Sequence, residues 1–94
     1  MQNRHRFKHT RVADKVIEDD SLKGTDKAVY MALSYFASNK SSECYPSRDT
    51  LMRVAGISDR TLRNAISTLK EKGYISVKHR TIKGKRASNI YRLL

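Results

Sequence analysis

Apolar residues recur at helical spacing through most of the chain and switch to alternation near its end. Val12, Ala13, Val16 and Ile17 are spaced for one turn, so a short helix is expected over residues 13–18, closed by Asp19, Asp20 and Ser21. Ahead of it, Phe7 to Val12 can form a short strand. Ala28, Val29, Ala32, Leu33 and Phe36 then line one face of a longer helix. It is expected to begin at Thr25: Gly24 interrupts what precedes it, a threonine hydroxyl can cap, and Asp26 in the first turn suits the helix dipole. Residues 38–42 are polar and read as a loop.

The second half is more sharply punctuated. Pro46-Ser47 opens a short helix carrying Thr50, Leu51 and Val54, with Ser47 as its cap and Gly56 at the turn that ends it. Ser58 caps a third helix, whose buried stripe is Leu62, Ala65, Ile66 and Leu69, and Gly73 stops it. From there the period becomes two. Residues 74–78 and 90–94 read as strands, and residues 82–86 form a turn with Gly84 at its tip. Three helices followed by a β-hairpin are the layout of an α+β winged helix-turn-helix, here with a short N-terminal strand and helix.

Charge divides the chain into three parts. The net charge is +11 over 94 residues. Residues 1–13 hold Arg4, Arg6, Lys8 and Arg11 without an acid, and residues 74–94 hold Lys78, Arg80, Lys83, Lys85, Arg86 and Arg92 without an acid. The middle is nearly balanced. An ordinary domain therefore carries two basic devices, and such one-sided charge calls for a polyanionic partner. The expected organisation is a basic arm over residues 1–6 and one domain over residues 7–94.

The chemistry expected of these elements is nucleic-acid recognition. A short helix braces a longer one, so that the longer helix projects into a groove of duplex DNA. Its outward face carries Arg60, Asn64 and Ser67, flanked by Arg63, with Ser58 and Thr61 at the N-terminal end. Arginine can pair bidentately with a guanine edge and asparagine with an adenine edge. Hydroxyls and first-turn amides suit phosphate. Lys78, Arg80, Lys83, Lys85 and Arg86 make the hairpin a basic wing. Ser47 and Arg48 of the bracing helix, and Arg4, Arg6 and Lys8 of the arm, are weaker candidates. A solvated helix face and a charged sheet edge that blocks aggregation are the plain alternatives. Between helix and wing, the wing and arm are expected to supply most of the affinity, since Arg60, Arg63, Lys70 and Lys72 are offset by Asp59 and Glu71.

A family resemblance rests on several stretches in order. Asn39-Lys40, Cys44-Tyr45-Pro46-Ser47, Gly56-Ile57-Ser58, Arg60-Thr61-Leu62, Ala65-Ile66, Gly73-Tyr74-Ile75 and Ala87-Ser88-Asn89-Ile90-Tyr91 resemble the winged helix domains of plasmid and phage replication proteins of Gram-positive bacteria. The resemblance covers roughly residues 7–94. It implies a DNA-binding domain of a mobile genetic element. In initiators of that kind a further domain for oligomerisation or helicase recruitment usually follows. The sequence ends at the wing strand, so the expectation is a small accessory protein that marks an origin of replication or of conjugative transfer. A transcriptional repressor of the same fold is the alternative. A protein-interaction module is a weaker third, since it should expose apolar residues where Arg60, Asn64 and Ser67 stand.

Other chemistries find little support. His5, His9, His79 and Cys44 lack zinc-ligand spacing, so no metal is expected. No phosphate loop, nucleophile motif or paired carboxylate suggests an enzyme or a cofactor. Tyr30, Tyr35, Tyr74 and Tyr91 fit core or half-buried positions, and Cys44 a partly buried loop end. One cysteine, no secretory signal and no long apolar run point to a cytoplasmic protein without a membrane partner. The expected partners are double-stranded DNA, further copies of the chain on repeated sites, and a relaxase or replication protein.

Overall fold

The computed structural model describes residues 14–38 and 40–94. The strand expected at residues 7–12 and the basic arm lie outside them. The described chain runs α1 (Asp14–Ile17), α2 (Gly24–Phe36), β1 (Glu43–Cys44), α3 (Arg48–Ala55), α4 (Asp59–Glu71), β2 (Ile75–Lys78), β3 (Thr81–Ile82), β4 (Lys85–Arg86) and β5 (Ile90–Leu93). This is the expected winged helix-turn-helix with three short strands added: β1, and β3 and β4, which narrow the turn expected over residues 82–86 to Lys83-Gly84.

One turn of helix is not stable alone. α1 is held because Val16 is fully buried in the core. The residues after it are tied down by Asp19, whose carboxylate accepts from the amide and hydroxyl of Ser21 and from the Tyr74 hydroxyl at 2.7 Å. Those bonds favour the ionised carboxylate and lower its pKa to about 2. Tyr74 also meets Tyr30 edge to face, with centroids 6.5 Å apart. Asp19 therefore ends a helix, as expected, and also fastens that helix to the turn between α4 and β2.

α2 starts one residue earlier than its sequence suggests. Lys23 is the N-cap and Gly24 lies inside the helix, so Thr25 does not cap. The capping contact comes from Asp26, whose buried carboxylate reaches back to accept the Lys23 amide at 2.9 Å. An acid three positions past the cap can satisfy the exposed amide without help from a hydroxyl. Val29, Ala32 and Leu33 of the expected stripe are buried, and Phe36 is half-buried. Ser34 is buried too, because its hydroxyl donates to the Tyr30 carbonyl one turn back at 3.0 Å. Tyr35 departs from expectation: it projects outward and is 56% exposed.

α3 and α4 repeat one N-terminal device. Ser47 accepts the Thr50 amide at 3.1 Å, and Ser58 accepts the Thr61 amide at 3.2 Å. In each cap the serine hydroxyl also donates to the threonine hydroxyl oxygen. Gly56 adopts φ +69° between the two helices, a left-handed conformation that L side chains resist. Leu51, Leu62, Ala65 and Leu69 reach the core, whereas Ile66 is half-buried and Val54 is 45% exposed. α4 packs mainly on α2.

β2 and β5 form the antiparallel pair expected of the wing, in the register Ile75↔Leu93 and Val77↔Tyr91. That pairing turns Ile75 and Tyr91 into the core. β5 is the centre of a three-stranded sheet, because β1 pairs along its other edge, Cys44 opposite Tyr91. Cys44 is thus a fully buried strand residue and not a partly buried loop end. Its thiol approaches the Leu33 carbonyl at 3.6 Å, and burial raises its pKa to about 11. The distal wing is a separate two-stranded ribbon, β3 with β4. Lys83 and Gly84 both have positive φ, 52° and 76°, as a two-residue type I′ hairpin turn requires.

Candidate nucleic-acid interface

α4 presents the residues singled out on its outward face. Arg60, Arg63, Asn64 and Ser67 are exposed. Ser58 and Thr61 stand at its N-terminus with their hydroxyls joined in the cap, and Thr61 is half-buried. Ser47 is similarly engaged at the start of α3. These hydroxyls first position the helix ends, and their remaining hydrogen-bonding capacity faces outward with the first-turn amides.

Asp59 joins the two helices. Its Oδ2 accepts from Arg63 Nε at 3.1 Å and lies 3.0 Å from Arg63 Nη2. Its Oδ1 faces Arg48 Nη1 of α3 at 3.4 Å, an ion pair without hydrogen-bond geometry. Both arginines nevertheless keep more than half of their side-chain surface exposed. The carboxylate therefore fixes their inner edges and leaves their outer edges free.

A cleft of about 260 Å³ separates α4 from the sheet. Its floor is apolar, with Leu62, Ile66, Val77 and Tyr91. Its rim carries Arg48, Arg63, Lys70, His79, Arg86 and Asn89 and not one carboxylate. A low-dielectric floor under a ring of cations concentrates positive potential, which suits a phosphodiester backbone. His79 Nδ1 and Asn89 Oδ1 meet at 3.0 Å across the base of the wing. Lys70, His79 and Asn89 were not among the site residues drawn from sequence. Lys70 had a signal, because Arg63, Ser67 and Lys70 follow at i, i+4 and i+7. Asn89 had none, since it reaches the cleft only through strand register.

The wing cations divide into two groups. Lys78, Lys83, Lys85 and Arg86 are exposed. Arg80 is half-buried: its Nε donates to the Ser88 carbonyl at 2.7 Å, and its guanidinium lies 5.0 Å from the centroid of the Tyr45 ring. It braces the wing against the segment entering α3, and so does not converge with the other cations on the tip. Ile82 lies at the tip beside Lys83 and is 52% exposed. Arg4, Arg6 and Lys8 lie outside the described residues. Among the described residues no three His, Cys, Asp or Glu side chains form a metal site, and no helix is long and apolar enough to cross a membrane.

A braced helix with a polar outer face, a second helix at its back and a basic hairpin beside it define a winged helix-turn-helix DNA-binding domain. Residues 20–75 match the helix-turn-helix domain family, and the chain belongs to it. The match runs from the approach to α2 to the first residue of β2, so most of the wing lies beyond it. No curated protein and no solved structure matches the chain.

Proposed function

We propose that this domain recognises a specific sequence of duplex DNA and serves as an accessory protein of a mobile genetic element, marking an origin of replication or of conjugative transfer. α4 enters the major groove and presents Arg60, Asn64 and Ser67 to base edges. The wing lies along the adjoining strand. The phosphodiester backbone between them runs through the cleft rimmed by Arg48, Arg63, Lys70 and Arg86. The observation that carries this reading is the row of cations joining the outer face of α4 to the wing, in which one carboxylate, Asp59, offsets only part of the charge of Arg48 and Arg63. The mobile-element role is supported by the resemblance to plasmid and phage replication domains. Further copies on repeated sites, and a relaxase or replication protein, are the partners such a role calls for.

The test is titration against the intergenic DNA flanking the gene and against scrambled DNA, at two salt concentrations. A preference of ~10³-fold or more for one segment, with affinity falling steeply as salt rises, is the expected result. Steep salt dependence without preference would leave only a DNA-coating protein. A preferred segment inside a divergent promoter, away from any origin, would replace the accessory role by repression.

A further inference from the structure

Asp59 is the acid that stands between the two arginines at the edge of the cleft. It stands at the first position of α4, where a negative charge suits the helix dipole, but a serine cap already secures that end. Its Oδ1 is closed off from solvent and makes no hydrogen bond. A buried, unsatisfied carboxylate oxygen carries a desolvation cost. What the carboxylate achieves is to hold Arg63 of its own helix and Arg48 of the bracing helix together at the mouth of the cleft. Both arginines are long, and without a partner each would sample many rotamers and reach for any nearby phosphate.

We propose that Asp59 is a specificity-determining positioning residue, and this rests on the DNA reading above. It holds Arg48 and Arg63 at a fixed separation, so that both engage the backbone only where α4 is seated in its correct register. Away from that register the same carboxylate offsets one of the pair's two charges and repels phosphate. Selectivity thus comes partly from an acid that touches no base, by weakening the wrong complexes more than the right one.

The test compares wild type with Asp59→Asn, Asp59→Glu and Asp49→Asn. Asp49→Asn removes the same charge from the exposed first turn of α3 and is the control for charge alone. The probes are the short duplex that the wild-type protein enriches from a randomised pool and a shuffled duplex of equal composition. Asp59→Asn is expected to tighten binding to the shuffled duplex and weaken binding to the enriched one, so that their ratio falls by about tenfold. Its salt dependence on shuffled DNA should steepen by about one to two in log–log slope as the arginines are released. Asp49→Asn should tighten both duplexes alike, and Asp59→Glu should restore much of the ratio. Thermal melting of each variant separates these effects from loss of fold, because unfolding would weaken both duplexes together. If Asp59→Asn shifts both duplexes by the same factor as Asp49→Asn, the assignment of Asp59 is wrong while the DNA reading stands. A wild-type protein that enriches no sequence would overturn both.

Discussion

The helix-turn-helix and the wing face the same cleft but are held in place differently. α3 and α4 are anchored from below by Leu51, Leu62, Ala65 and Leu69 and from their ends by two serine caps. Their surface mixes both signs of charge, with Asp59 tethering two of the arginines. The distal wing has no buried residue from Thr81 to Arg86. It is kept in shape by a two-residue turn and by Arg80, which braces it at the base. A rigid element suits the reading of base edges, where small displacements matter, and a loosely supported cationic ribbon suits phosphate, where they do not. The two regions should therefore answer differently to substitution.

The largest difference is expected in stability. Leu62→Ala should cost about 2–5 kcal/mol, because its side chain is fully buried. Ile82→Ala at the wing tip should leave the melting temperature nearly unchanged. Thermal denaturation of both variants checks this, and comparable losses would break the distinction. The caps come next. Ser58→Ala should destabilise by about 1 kcal/mol, and Ser47→Ala similarly, measured by urea denaturation.

A smaller effect tests the brace. Arg80→Ala removes a hydrogen bond and a cation–π contact that lie at the base of the wing and away from its tip. It should lower DNA affinity with little change in melting temperature, and Tyr45→Ala should act in the same direction through roughly 0.5–1 kcal/mol of lost cation–π attraction. If Arg80→Lys restores full binding, charge and not bracing is the cause.

The last prediction lies outside both regions. Asp19 has a folded pKa of about 2 against an ordinary 3.8. A depressed carboxylate pKa contributes stability that is complete above the unfolded value and is lost as pH falls through the folded one. Acid unfolding should therefore show a component between about pH 4 and pH 2. Tyr74→Phe removes one of the bonds responsible and should weaken that component.

The same contrast explains what could be read from the sequence. The helix-turn-helix was legible because its signals are local: Ser47 and Ser58 cap, Gly56 turns, and Leu62, Ala65 and Leu69 repeat at helical spacing. The wing strands were legible from alternation and from Gly84. Other features depend on partners distant in sequence. β1 is two residues long and exists because β5 offers it an edge. Cys44 is buried because that edge lies over Leu33. Arg80 reads as one more wing cation until the fold brings Tyr45 beneath it, and Asp59 reads as an ordinary first-turn acid until α3 delivers Arg48. Thr25 misled for a local reason, since Asp26, three residues past Lys23, accepts the Lys23 amide and lets the helix begin before Thr25.

The division of labour between wing and helix is tested most directly by measuring selectivity and salt dependence together. The triple variant Lys83→Ala, Lys85→Ala, Arg86→Ala is compared with the double variant Arg60→Ala, Asn64→Ala on the enriched and shuffled duplexes. The wing variant should lose affinity for both duplexes alike, with a salt slope shallower by about two to three and the selectivity ratio kept. The helix variant should lose most of the ratio, while its slope changes by about one or less. A wing variant that keeps its affinity while the helix variant abolishes binding to both duplexes would contradict the account.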